Sequence, residues 1–163
     1  MTKLFLTLHV LAAIVAVGPV TVAAGMFPPA LRRARRAPED GEARTTLRTL
    51  HRICRVYAAL GIAVPVFGFA TAGSLGVLGS AWLIASIALT AAAAAVLVLA
   101  VLPAQRRELA TLEGQHAASQ PAAPQHLDAP SAGRLAMLTG VFNLLWATVT
   151  VLMIIRPGST TGA

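Results

Sequence analysis

Four apolar runs, at about residues 4–27, 56–79, 81–102 and 135–155, limit what this chain can fold into. Each can cross a hydrocarbon core of about 30 Å, which takes about 20 residues as helix. Lipid offers the backbone no hydrogen-bond partners, so a spanning run must close its bonds internally. No run alternates polar and apolar residues as a membrane barrel strand would. The expectation is all-α: a four-transmembrane-helix bundle of up-down topology, forming one integral membrane domain over residues 1–163. Only 12% of the residues are charged, against about 25% in soluble domains. Scarce aromatics and abundant alanine, valine and leucine suit helices packed closely in lipid.

The first run contains His9 and a Gly18-Pro19 break, and it stops against Arg32, Arg33, Arg35 and Arg36. It reads as a retained anchor rather than a cleaved signal peptide. A histidine interrupts it, and arginines 32, 33, 35, 36, 44, 48, 52 and 55 follow closely enough to resist export. Arg106, Arg107 and Arg134 fall between the third and fourth runs, so eleven of the thirteen Lys and Arg occupy two connections. The positive-inside rule then makes segments 28–55 and 103–134 cytoplasmic loops and leaves both termini extracytoplasmic, in the cell membrane.

Within the first loop, Pro28-Pro29 and Pro38 bracket Leu31–Arg36, and Pro38-Glu39-Asp40-Gly41 reads as a turn. Residues 42–57 then read as an amphipathic helix. Arg44, Arg48, Arg52 and Arg55 form its basic face, and Leu47, Leu50, Ile53 and Cys54 its apolar face. It lies along the membrane surface or runs straight into the second span, its arginines meeting anionic lipid headgroups. The formal charge of +7 is therefore assigned to headgroups and not to nucleic acid. The second loop, with its prolines, glutamines, His116 and His126, reads as a flexible linker with solvated histidines.

Pro65 should kink the second span. In the third, the alanines at 91–95 suggest close neighbours on more than one face. His9 lies roughly 8 Å below the outer interface at 1.5 Å per residue. Its helical neighbours Ala12, Ala13, Ala16, Val20, Ala23 and Ala24 are mostly small, so it should face the bundle. Thr71, Ser86 and Thr150 fall near its depth. Three readings stand: a polar layer of these residues with Asn143 that ties the helices together, a haem or metal ligand, or a proton-handling group. Met153 is a candidate second, soft ligand. Thr139, Asn143, Trp146 and Thr150 form an inward stripe on the last span, and His51 and Cys54 share a face near the cytoplasmic interface. No Asp, Glu, Lys or Arg lies in the body of a span, and no Walker, nucleophile-elbow, zincin or Cys-x-x-Cys motif occurs.

Lys3, Leu8-His9-Val10-Leu11, Ala81-Trp82-Leu83, Gln105-Arg106-Arg107-Glu108-Leu109 and a last span ending in Arg156-Pro157 resemble a group of bacterial four-helix membrane proteins, the integral membrane family called domain of unknown function 2269. The start of the first run is more distantly similar to copper-resistance D-type and HemJ-type membrane domains. The latter resemblance implies haem held through His9. The expected role is that of a non-enzymatic membrane subunit or small-ligand binder, with a haem- or copper-associated redox protein as the alternative. A second copy of the chain or a partner membrane subunit is the protein partner kept open.

Overall fold

The computed structural model describes residues 1–117 and 129–158. Helix α1 spans Thr2–Arg36, α2 Gly41–Leu60, α3 Ala63–Leu75 and α4 Ala81–Ala95. A π-helical segment, Val96–Val101, leads into α5, Leu102–Ala117, and α6 runs from Ala129 to Ile155. Four helical stretches are long and apolar enough to cross a membrane: Thr2–Arg36, Gly41–Leu75, Ala81–Gly114 and Ser131–Ile155. The all-α, four-span expectation holds.

The arginine-rich connections are not loops. Segment 28–55 is helical but for Ala37–Asp40, because α1 runs unbroken through Pro19, Pro28 and Pro29 to Arg36. A proline costs a helix interior about 3 kcal/mol. Here Phe27, Pro28, Leu31 and Ala34 are buried against Ala43, Leu47 and Leu50 of α2. Burial of a large apolar side chain contributes about 1.5–3 kcal/mol, so a few such residues offset the prolines. The expected turn is present at Pro38–Glu39, and Asp40 caps α2 by accepting from the amides of Glu42 and Ala43 at 3.0 Å. The amphipathic segment takes the second of its two expected courses and runs into the span.

Segment 103–134 is likewise helical as far as Ala117 and again from Ala129. Gln105 is buried, and Leu109 and Leu112 pack on the main core, which a linker would not allow. His126 and the side chain of His116 lie outside the described residues. At 1.5 Å per residue α1 is roughly 50 Å long, some 20 Å more than a hydrocarbon core. The arginine-bearing ends of α1, α2 and α5 therefore form a helical extension beyond the spans.

At the opposite end, α3 stops at Leu75, four residues earlier than expected, with Gly76 at φ +69° as a left-handed cap. The turn to α4 is closed by Ala72, Val77, Trp82 and Leu83. Arg156, just past α6, stands 5.5 Å from the centre of the Trp82 ring. Side by side, α1 packs on α2, α3 and α6, α6 packs on α4, and α2 meets α5 at the arginine-rich end. Along the middle of their length α3 and α4 stand apart. Ile14, Val22, Leu99, Leu144 and Ile154 are exposed, as a lipid-facing girdle should be.

Candidate functional site

The gap between the second and third spans begins with two local departures from α-helix. Pro65 has no N–H for the carbonyl of Gly61, four residues earlier, and its ring crowds that carbonyl. The helix accordingly breaks at Gly61-Ile62. Ile62 N–H donates to Ala59 at 3.2 Å and Val64 N–H to Gly61 at 3.1 Å. The carbonyls of Ala58 and Leu60 thereby lose their usual donors. On the facing span Pro103 acts similarly. The π-helical segment Val96–Val101 lies directly before it, widening the turn where Leu99 would meet the proline ring.

Between these two irregularities lies a cavity of about 430 Å³. Ala16, Val17 and Val20 of α1 form its back wall, with Phe142 and Trp146 of α6. One flank is Tyr57–Ala59, Gly61, Ile62, Val64 and Pro65, and the other is Thr90, Ala93, Ala94, Leu97, Val98 and Leu102. Arg55 stands at the arginine-rich margin. The turn cluster around Trp82 closes one end of the gap, and the contact of α2 with α5 closes the other. The lining is almost wholly apolar. The alanine run contributes to it in an unexpected way: Ala93 is buried, whereas Ala91, Ala92, Ala94 and Ala95 are exposed, so these alanines do not meet neighbours on several faces.

His9 is half-buried, and its ring does not line the cavity. Its Nδ1 is 2.9 Å from the carbonyl oxygen of Val64. A carbonyl only accepts, so Nδ1 carries a proton, and in the neutral tautomer Nε2 has the lone pair. The ring lies on Gly68, where an added Cβ would be 3.0 Å from Cε1 and 3.2 Å from Nδ1. A Cβ there would need the His9 ring to give by a few tenths of an ångström, so glycine eases the approach of α1 and α3. His9 holds the carbonyl of a residue that lines the cavity, close to the break.

The hydroxyls expected at this depth bond within their own helices. Thr71 donates to Phe67 at 2.7 Å, Ser86 to Trp82 at 2.8 Å and Thr150 to Trp146 at 3.1 Å. Thr71 and Ser86 are buried as expected. Thr150 is exposed, so the stripe Thr139, Asn143, Trp146, Thr150 leaves the bundle at its last member, where the neighbouring Val149 is buried instead. Thr139 Oγ1 and Asn143 Oδ1 are buried without a partner. Met153 is half-buried on α6, and its carbonyl accepts from Arg156. Among the described residues no group of three or more His, Cys, Asp or Glu gathers as a metal site would require.

The basic face of α2 is divided. Arg48 pairs with Glu113 at 2.9 Å, Arg44 is half-buried with an unpartnered Nε, and Arg52 and Arg55 are exposed. Sequence reasoning missed the role of Gln105. Wholly buried, it accepts from His51 Nδ1 at 3.0 Å and donates to Cys54 Sγ at 3.7 Å. One turn on, Glu108 pairs with Arg35 of α1. Gln105 and Glu108 both belong to the Gln-Arg-Arg-Glu stretch quoted above, and a glutamine and glutamate at helical spacing beside an apolar run were the available signal.

Residues 3–157 match the family model described as predicted integral membrane protein (DUF2269). The chain belongs to this family. Neither a curated protein nor a solved structure matches the chain. The match spans all four membrane helices and both halves of the arginine-rich extension, so the cavity, the His9 contact and the Gln105 network all lie within the family's domain.

Proposed function

We propose that this DUF2269 protein is a non-enzymatic small-ligand binder of the cell membrane that takes an apolar molecule from the bilayer into the cleft between its second and third spans. The supporting observation is the cavity itself. Its volume of about 430 Å³ falls within the roughly 300–1,000 Å³ of ligand pockets. Its lining of alanine, valine, leucine, phenylalanine and tryptophan offers dispersion contacts and few polar groups. The arginine-rich end lies in the cytoplasm, both termini lie outside, and Arg52 and Arg55 meet anionic headgroups. Helix rise sets Arg44 roughly 16 Å beyond Arg55, so the upper arginines stand clear of that level. A second copy or a partner membrane subunit would sit against the exposed apolar girdle.

Organic extraction of the purified protein, followed by mass spectrometry, tests this reading. Wild type should carry a near-stoichiometric apolar molecule. Ala94→Phe, which fills the cleft from an exposed position, should carry none while melting normally. An empty wild type, or equal loading of both, would overturn the reading.

The second reading, haem or copper on His9, has one specific observation in its favour. The Nδ1–H bond to Val64 orients the ring and, in the neutral tautomer, leaves the Nε2 lone pair free to ligate, as in ligating histidines whose other nitrogen is held by a carbonyl. Met153 is the other candidate ligand. An absorption spectrum after expression with haem supplied decides it: a Soret band lost in His9→Ala supports the reading, and no band sinks the haem version. Metal analysis of the same sample answers for copper.

A further inference from the structure

Arg55 marks where a bound molecule would carry its charge. It stands at one margin of a cavity that is otherwise apolar. The carboxylates that form ion pairs among the described residues are held by other arginines: Asp40 by Arg33, Glu108 by Arg35 and Glu113 by Arg48. Among the described residues Arg55 has no ion-pair partner, and its side chain is exposed. Tyr57, two residues on, is half-buried and lines the same cavity. Helix rise places Ile62, at the break, roughly 10 Å from Arg55, and the cavity extends on past it to Val64 and Pro65. A cation at one end of an apolar slot of this length is complementary to a molecule with an anionic head and a single hydrocarbon chain. An uncharged molecule would leave Arg55 to the surrounding headgroups and gain nothing from it. A cationic head would be repelled by it and by the exposed Arg52.

Resting on the reading above, we infer that the ligand is a single-chain anionic amphiphile. Its carboxylate or phosphate head lies on the Arg55 guanidinium, and its chain fills the space between the Gly61-Ile62 break and the π-helical segment. A guanidinium suits either head, because its planar fork of donors matches both geometries.

Native mass spectrometry in nonionic detergent tests this with three probes of similar chain: oleate, oleoyl lysophosphatidylglycerol and uncharged monoolein. Wild type should bind at least one anionic probe tenfold or more tightly than monoolein. The stronger of the two identifies the head as carboxylate or phosphate. Arg55→Gln should remove the preference and leave monoolein binding unchanged, and Arg55→Lys should restore a large part of it. Equal binding of all three probes to wild type, or a preference surviving in Arg55→Gln, would overturn the headgroup assignment while leaving the cleft reading intact. No binding of any probe would overturn both. A normal melting temperature in each variant separates lost binding from lost fold.

Discussion

The arginine-rich extension and the middle of the spans are built from the same kinds of apolar residue but packed to different standards. In the extension Leu31 and Leu47 are wholly buried, and so are Phe27, Cys54 and Val101 where it joins the spans. Gln105 and the Arg35–Glu108 pair add polar bonds across three helices there. In the middle of the spans α3 and α4 stand apart around a cavity, with Ile62 and Val98 exposed. The difference follows from the solvent. Projecting helices face water, which penalises apolar surface, so they must close a core. Helices within lipid have no such drive, because acyl chains are as apolar as leucine. A gap can persist there and stay available to a ligand, while the water-facing end clamps the helices together.

Truncation at the two places should break this comparison most sharply if it is wrong. Phe27→Ala should cost about 3–5 kcal/mol, visible as a large fall in melting temperature in detergent. Val98→Ala, at the cleft, should cost well under about 1 kcal/mol by the same measurement, since little packing is lost where little exists. Comparable losses at both positions would erase the distinction.

Polar contacts sharpen it further. Gln105→Ala leaves His51 without its acceptor and removes the donor to Cys54, and should cost about 1–3 kcal/mol. A double mutant with His51→Ala should then show clear non-additivity. Gly68→Ala puts a Cβ against the His9 ring and should cost about 1–3 kcal/mol by overpacking. His9→Ala in the same background should recover most of that loss. Thr139→Val is the smallest effect and has the opposite sign. It replaces a buried, unpartnered hydroxyl by a methyl of similar shape and should leave the melting temperature unchanged or raise it slightly.

Much of this architecture was readable from local chemistry. Span count follows from apolar length, the turn at 38–39 from its proline, and the break in the second span from Pro65. Burial of Thr71 and Ser86 also follows from pattern. Other features depend on what lies opposite in space, which no local rule reports. Pro28 and Pro29 stay helical because α2 covers that face. His9 bonds to a backbone carbonyl, and every residue carries one, so side-chain pairing at equal depth pointed to hydroxyls instead. The cleft escaped notice because alanine suits both close packing and open space. Gly61 with Pro65, and Pro103 on the next span, were the signals that both flanking helices bend.

Hydrocarbon entering the space beside Trp146, one of two tryptophans, is the central property of the cleft. With Trp82 replaced by Phe, the protein is reconstituted into phospholipid bilayers brominated along their acyl chains, and Trp146 fluorescence is compared with that in unlabelled bilayers. An open cleft gives strong quenching that Ala94→Phe reduces severalfold. Fluorescence unaffected by bromination, or equally quenched in both proteins, would contradict it.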